Sequence, residues 1–151
     1  MEWHRLKSQS DIDELMEAFG HFKDSVITEM AYVSGAFIHQ GLLMYPVNAK
    51  RRLRVIFQRQ DKKLPSVEIV FDEIKYLNLA PTGTNNFAQI EKVHFSYEGN
   101  RLYWAETSDF SVSKIGKDVS YMRFTWIAAK RAQWRVLENN LGSNQVYTAL
   151  R

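Results

Sequence analysis

Two ionisable side chains, His21 and Asp24, lie in a segment whose residues predict a turn between a helix and a strand. Gly20 is the residue type that most readily ends a helix in the left-handed conformation, and Asp24 can bond to the backbone of the turn that follows. Two titratable groups held close on a rigid turn can share a proton or a ligand. The same pattern fits a capping aspartate beside a half-exposed histidine, and we favour this structural interpretation.

Glu29 and Arg59 are charged residues at positions where the pattern predicts apolar surroundings. A buried carboxylate or guanidinium needs a partner, so Arg59 is expected to meet Glu29 or Asp24, or to line an anion pocket. The first case holds the fold together and is favoured. The second makes Asp24, Glu29 and Arg59 the candidate site of a small-ligand-binding protein or hydrolase.

Metal and cofactor chemistry find little support in the sequence. There is no cysteine, and the four histidines are scattered without the spacing of helical metal ligands. No Walker loop, dinucleotide fingerprint or nucleophile elbow occurs either. We therefore predict no metal and no cofactor, and we favour a binding protein over an enzyme.

A basic block spans residues 50–63, with seven bases and one acid. Arg51 and Arg52 are its candidate phosphate contacts, which makes nucleic-acid binding a third hypothesis. Arg54 is expected to be neutralised by Asp72, in a register that pairs Gln60 with Ser66. A solvated sheet edge that resists aggregation explains the block better, so nucleic acid is not favoured as a partner.

The elements that must position these residues read as one α+β domain over residues 1–151. Ser10 is the predicted N-cap of a helix whose apolar stripe is Ile12, Leu15, Met16 and Phe19. Alternating segments predict six or seven strands of a largely antiparallel, twisted sheet on which this helix packs. Residues 26–37 are apolar on both parities, which predicts the middle strand of the sheet.

Two later segments give more local predictions. Gly99-Asn100 predicts a two-residue hairpin turn that places Tyr97 opposite Leu102 and Phe95 opposite Trp104. The apolar residues of one parity in 121–136 predict a long bent strand with a shared face, or a strand followed by a short connection.

Four short motifs resemble those of a family of small, largely uncharacterised bacterial proteins. They are Phe22-Lys23-Asp24-Ser25, Phe57-Gln58-Arg59-Gln60, Trp126-Ile127-Ala128-Ala129-Lys130 and Trp134-Arg135. The resemblance spans nearly the whole chain, and some members are similar to immunity proteins of polymorphic toxin systems. It implies no established activity, and Lys23 stands where the family more often has histidine.

Taken together, these observations favour a non-enzymatic protein that binds another protein, and the family resemblance implies an immunity-like role. The first residues lack the apolar core of a signal peptide, and no apolar run of 18 residues occurs, so we expect a cytoplasmic protein without a membrane segment. Sheet edges also permit a homodimer.

Overall fold

Residues 2–147, which the computed structural model describes, form an α-helix and nine β-strands with short 3₁₀ turns between them. In chain order these are β1 (His4–Arg5), α1 (Gln9–Ala18), β2 (Ser25–Val33), β3 (Phe37–Ile38), β4 (Met44–Tyr45), β5 (Arg52–Arg59), β6 (Ser66–Asn78), β7 (His94–Glu98), β8 (Arg101–Ala105) and β9 (Trp126–Val136). The 3₁₀ turns are Gly20–Phe22, Val112–Lys114 and Val119–Met122.

Seven of the strands form one sheet in which β2, β5, β6, β9, β8 and β7 follow one another and β1 also pairs with β9. Each pairing is antiparallel. The predicted α+β class, with an N-terminal helix and an antiparallel sheet, is confirmed. β3 and β4 form a separate two-stranded hairpin.

Strand β2 lies at an edge of this sheet, so its predicted central position is wrong. β5 pairs along one side of β2, whereas the other side meets a single bridge between Ser25 and Ile90. The apolar residues that suggested two covered faces include Tyr32 and Val33, and both are exposed. They lead into the exposed β3–β4 hairpin instead of the core.

Helix α1 begins two residues earlier than predicted, because Ser8 and not Ser10 is the N-cap. Ser8 Oγ accepts a hydrogen bond from Asp11 N, and Asp11 Oδ2 accepts one from Lys7 N at 2.8 Å. The predicted apolar stripe is confirmed, since Ile12, Leu15 and Phe19 are fully buried and Met16 packs against the core. These contacts hold the helix on the sheet.

The core has two parts, and β9 contributes to both. Ala132 and Trp134 belong to the main core under α1, whereas Trp126 and Ala128 belong to a second cluster with Tyr103, Phe110 and Tyr121. The even-numbered residues of β9, which were predicted to share one face, therefore lie on two different faces. The strand changes face across residues 129–132, where Lys130 and Arg131 are exposed.

The predicted β7–β8 register is confirmed, but the β5–β6 register is shifted by two residues. Gln58 pairs with Ser66, and Arg54 lies opposite Val70 instead of Asp72. The connecting loop is longer than predicted because Asp61 Oδ1 accepts hydrogen bonds from Lys63 N and Leu64 N. A shift of two keeps every side chain on its predicted face.

Candidate functional site

Arg59 is directed inward as predicted, but it contacts neither Glu29 nor Asp24. Its Nε donates to the carbonyl oxygen of Leu64 at 2.9 Å and its Nη2 to that of Ala18 at 3.0 Å. The guanidinium also lies 4.7 Å from the centre of the Phe19 ring, and Asp61 is its acidic neighbour. Arg59 therefore secures the end of α1 and does not line an open anion pocket.

The other members of this predicted site have separate partners. Asp24, at a positive φ of 61°, accepts a hydrogen bond from the Gln89 side chain. The Glu29 carboxylate accepts hydrogen bonds from the backbone N–H groups of Val146 and Tyr147. His21 is exposed, and its Nε2 lies 3.4 Å from Glu17 Oε1. These contacts do not assemble the acid, base and nucleophile of a hydrolase.

Arg51 and Arg52 of the basic block are both partly neutralised. Arg52 Nε donates to Asp72 Oδ1 at 2.7 Å. Arg51 Nη2 lies 3.8 Å from Glu73 Oε1, and Arg131 Nη2 lies 2.6 Å from Glu73 Oε2. Asp72 thus pairs with Arg52, two residues before its predicted partner Arg54, as the shifted register requires.

Basic side chains from distant parts of the sequence converge on two neighbouring parts of the surface. One is on the outer face of the sheet, opposite the main core, and the other is at the end of β1, where Leu6 and Ala132 of the main core contribute to the lining. Two adjoining clefts of about 430 and 400 Å³ share Gln133 in their linings. We name the cationic residues that line them the basic strip: Arg5, Lys7, Lys50, Arg52, Arg54, Lys130 and Arg131. The strip arises because β1, β5, β6 and β9 are neighbours in the sheet. The order of charges along the sequence does not show this arrangement.

Beneath one end of the basic strip lies Glu68, a fully buried carboxylate. Its Oε2 accepts hydrogen bonds from Arg54 Nη2 at 2.9 Å and from the Tyr147 hydroxyl at 2.6 Å, and its Oε1 accepts one from Arg135 Nε at 2.9 Å. Burial, the hydrogen bond to Glu68 and the negative charge of that carboxylate raise the pKa of Tyr147. The hydroxyl therefore stays a donor at neutral pH.

Glu68 is not among the residues that the sequence predicted to form a site. Its position in the strand was the available signal. Glu68 lies between Val67 and Ile69, so its side chain belongs to the opposite face from theirs, which is the face of Arg54. Its other donors, Arg135 and Tyr147, are more than 60 residues away in sequence. The network holds residues 140–147 on the outer face, where the Asn140 carbonyl also accepts from the Gln58 side chain.

The β3–β4 hairpin and the turn after it expose seven large apolar side chains. We name residues 37–47 the apolar arm; its exposed members are Phe37, Ile38, Leu42, Leu43, Met44, Tyr45 and Val47. Their exposure runs from 48% for Tyr45 to 85% for Leu42. The rings of Phe37 and Tyr45 stack with their centres 4.7 Å apart. Seven exposed large apolar side chains within residues 37–47 are more than the singly scattered apolar residues of an ordinary protein surface.

The base of the apolar arm is fixed to the sheet beside the basic strip. The carbonyl oxygen of Ser34 accepts hydrogen bonds from Lys50 N and Arg51 N, both at 3.0 Å. Gly35 has a φ of +93°, and a Cβ at this position would lie 2.6 Å from Lys50 N. The cleft that contains Lys50 and Arg52 is also lined by Val33 and Trp3. Arm and strip thus form one continuous surface.

Two specific kinds of feature are missing from the described residues. Among residues 2–147, no three His, Asp or Glu side chains are grouped so as to hold a metal ion. No helix within the same range is long and apolar enough to cross a membrane.

Comparison with known proteins identified no matching family model, no matching curated protein and no matching solved structure. The motifs that carry the family resemblance fall at structural positions. Ser25 Oγ donates to the carbonyl oxygen of Phe22, and both residues are buried. Trp134 is also buried in the main core. Phe22, Ser25 and Trp134 therefore contribute to the folded core.

Proposed function

We propose that this chain is a non-enzymatic protein-binding domain whose interface is the apolar arm together with the basic strip. The observation that carries the proposal is the arm itself, which has seven exposed large apolar side chains and a hydrogen-bonded base. Contiguous apolar surface of this kind is costly to leave in water and is typical of protein interaction sites. Stacked aromatic residues such as Phe37 and Tyr45 are also frequent anchors of such sites.

The charge of the basic strip supports an acidic protein with an apolar patch as the partner. Arg5, Lys7, Lys50 and Lys130 have no acidic partner in the described part of the chain. No aspartate or glutamate occurs between residues 34 and 52. An acidic rim on the partner would complement these cations and speed association, while its apolar patch would cover the arm.

The resemblance to immunity-like proteins is compatible with this proposal. A protein of that kind works by covering a toxin, which requires an exposed complementary surface and no catalytic residues of its own. The separate partners of Asp24, Glu29 and Arg59 likewise favour binding over hydrolysis. We infer that the domain acts in the cytoplasm of a bacterium.

The experiment is capture from nuclease-treated host lysate, with matched variants and identification by mass spectrometry. The arm variant is Phe37→Ser/Leu42→Ser/Met44→Ser, and the strip variant is Lys7→Glu/Lys130→Glu. The control is Val119→Ser/Met122→Ser, which removes exposed apolar side chains elsewhere. We expect one acidic protein that binds wild type and control, is lost with the arm variant, and is weakened by salt and by the strip variant.

Three results would contradict the proposal. The first is a partner that the arm variant retains at wild-type level. The second is capture of no protein, together with steeply salt-dependent binding of purified nucleic acid by the domain, which would favour the nucleic-acid hypothesis. The third is concentration-dependent self-association in analytical ultracentrifugation that the arm variant abolishes, which would make the arm a homodimer interface. The variants should keep the wild-type melting temperature because the substituted side chains are exposed.

A further inference from the structure

A separate cleft of about 420 Å³ lies where the edge strand β2 approaches residues 79–90. Ile90 N donates a hydrogen bond to Ser25 O, and Ile90 O accepts one from Asp24 N, each at 2.8 Å. These two bonds connect residues 79–90 to the start of β2. The cleft lies next to this bridge between the two segments. Its apolar wall includes Ile27, Met30 and Pro81. The volume lies within the range of about 300–1,000 Å³ that is usual for small-molecule sites.

Glu106 supplies the polar end of this cleft. It follows β8 directly, and its backbone N–H donates to the carbonyl oxygen of Thr125 at 2.9 Å, which fixes its position. The side chain is half-buried, and none of residues 2–147 donates a hydrogen bond to its carboxylate. Burial accordingly raises the pKa of the Glu106 carboxyl, since water solvates the charge less well there.

The rest of the lining selects for the charge of a ligand. The residues around the cleft include no lysine, arginine or histidine, so no cationic side chain there would stabilise an anion. Glu29 is the second carboxylate in the lining, but it already accepts two backbone hydrogen bonds from Val146 and Tyr147. Glu106 is therefore the carboxylate with unused hydrogen-bonding capacity.

We propose that this cleft binds a small organic cation, in which an ammonium group pairs with Glu106 and an apolar body packs against Ile27, Met30 and Pro81. A charge-assisted hydrogen bond would supply the donor that Glu106 lacks. The apolar body would remove the wall from water. The cleft lies apart from the apolar arm and the basic strip, so the inference does not depend on the proposed protein partner.

Isothermal titration calorimetry with three probes of nearly equal shape tests the proposal: cyclohexylmethylamine, cyclohexylmethanol and cyclohexanecarboxylate. We expect the amine to bind at least about tenfold more tightly than the alcohol, and the carboxylate not to bind, because a charge-assisted hydrogen bond contributes about 1.5–3 kcal/mol. Glu106→Gln should lower the amine affinity by a similar factor. Glu14→Gln, which removes the same charge from the exposed face of α1, should leave it unchanged.

A second variant keeps the test decisive. Ala88→Trp introduces a large side chain at the rim of the cleft and should block the amine without altering Glu106. If the Glu106 variant fails to fold, this variant alone tests the location of binding. Equal affinity for amine and alcohol, amine binding that survives both Glu106→Gln and Ala88→Trp, or no detectable binding of the amine would each overturn the proposal.

Discussion

Arg59 Nη2 donates a 3.0 Å hydrogen bond to the carbonyl oxygen of Ala18, the last residue of α1. The final carbonyl groups of a helix lack partners within the helix and carry its negative dipole end, so a guanidinium is well suited to this position. The contact joins the end of β5 to the end of α1. This hydrogen bond explains why an arginine occupies an inward position of the strand. Its guanidinium binds a backbone carbonyl of the protein itself.

Gly20 makes this contact possible, and its replacement by alanine should be costly. Gly20 has a φ of +58°, and a Cβ there would lie 2.5 Å from Arg59 Nη1. Gly99 has a φ of +57° with open space around it, so Gly99→Ala is the matched control. The control should lose about 1–2 kcal/mol of unfolding free energy through backbone strain. Gly20→Ala should lose at least about 1 kcal/mol more through the clash with Arg59.

Urea denaturation of the two variants measures this difference. An Arg59→Ala/Gly20→Ala double variant should recover part of the additional loss relative to the sum of the single changes, because the clash is gone. Equal losses for Gly20→Ala and Gly99→Ala would show that Arg59 moves aside without cost.

Replacing Glu68 should destabilise the fold more than replacing a neighbouring carboxylate of β6. Glu68→Gln removes the charge that holds Arg54, Arg135 and Tyr147, and the expected cost is about 1–3 kcal/mol. Asp72→Asn is the control, because Asp72 pairs with the half-exposed Arg52 and should cost less than about 1 kcal/mol. Chemical denaturation at neutral pH compares the two. A Glu68 variant as stable as the Asp72 variant would contradict the structural importance of the network.

Tyr147 should ionise at a higher pH than a tyrosine in water. Burial and the hydrogen bond to Glu68 raise its pKa, so the folded state favours the neutral phenol. Stability from this group is present below the unfolded pKa of about 10 and is lost as the pH rises further. Ultraviolet absorbance at 295 nm should show a late titration step that Tyr147→Phe removes. Removal of an early step instead would mean that the hydroxyl is exposed in solution.

Glu106→Gln should stabilise the protein at neutral pH. Because burial raises the pKa of Glu106, the folded state favours its protonated form. Stability from this group is lost as the pH rises through its pKa in the folded state. The gain at pH 7 should be below about 1 kcal/mol, since the side chain is half exposed, and should vanish near pH 4. Thermal unfolding across this range, with Glu14→Gln as the equal-charge control, checks the sign. A destabilising effect at pH 7 would show that Glu106 has a donor in solution.

Local chemistry determined which structural predictions succeeded. The β7–β8 hairpin was predictable because Gly99-Asn100 defines both the turn and its register. The β5–β6 register was not, because alternation has a period of two and a shift of two residues leaves the pattern unchanged. The correct loop depends on the Asp61 side chain, whose contacts are visible only in three dimensions.

The candidate interface was harder to predict for a different reason. Short runs of apolar residues usually indicate buried strands, so nothing in residues 37–47 distinguishes an exposed hairpin from part of the core. The basic strip combines β1, β5 and β9, which become neighbours only once the strand order is known. Glu68 likewise depends on donors from separate segments.

The position of β9 has a consequence for biosynthesis. β6 pairs with one side of β9, while β8 and β1 pair with the other, so the central strand is made after the strands on both of its sides. Until residues 126–136 leave the ribosome, the β6 and β8 edges that they will cover have unpaired backbone groups. Incomplete sheets with open edges are prone to aggregate, and chains grow at only about 5–20 residues per second. The nascent chain should therefore depend on chaperones until β9 is inserted.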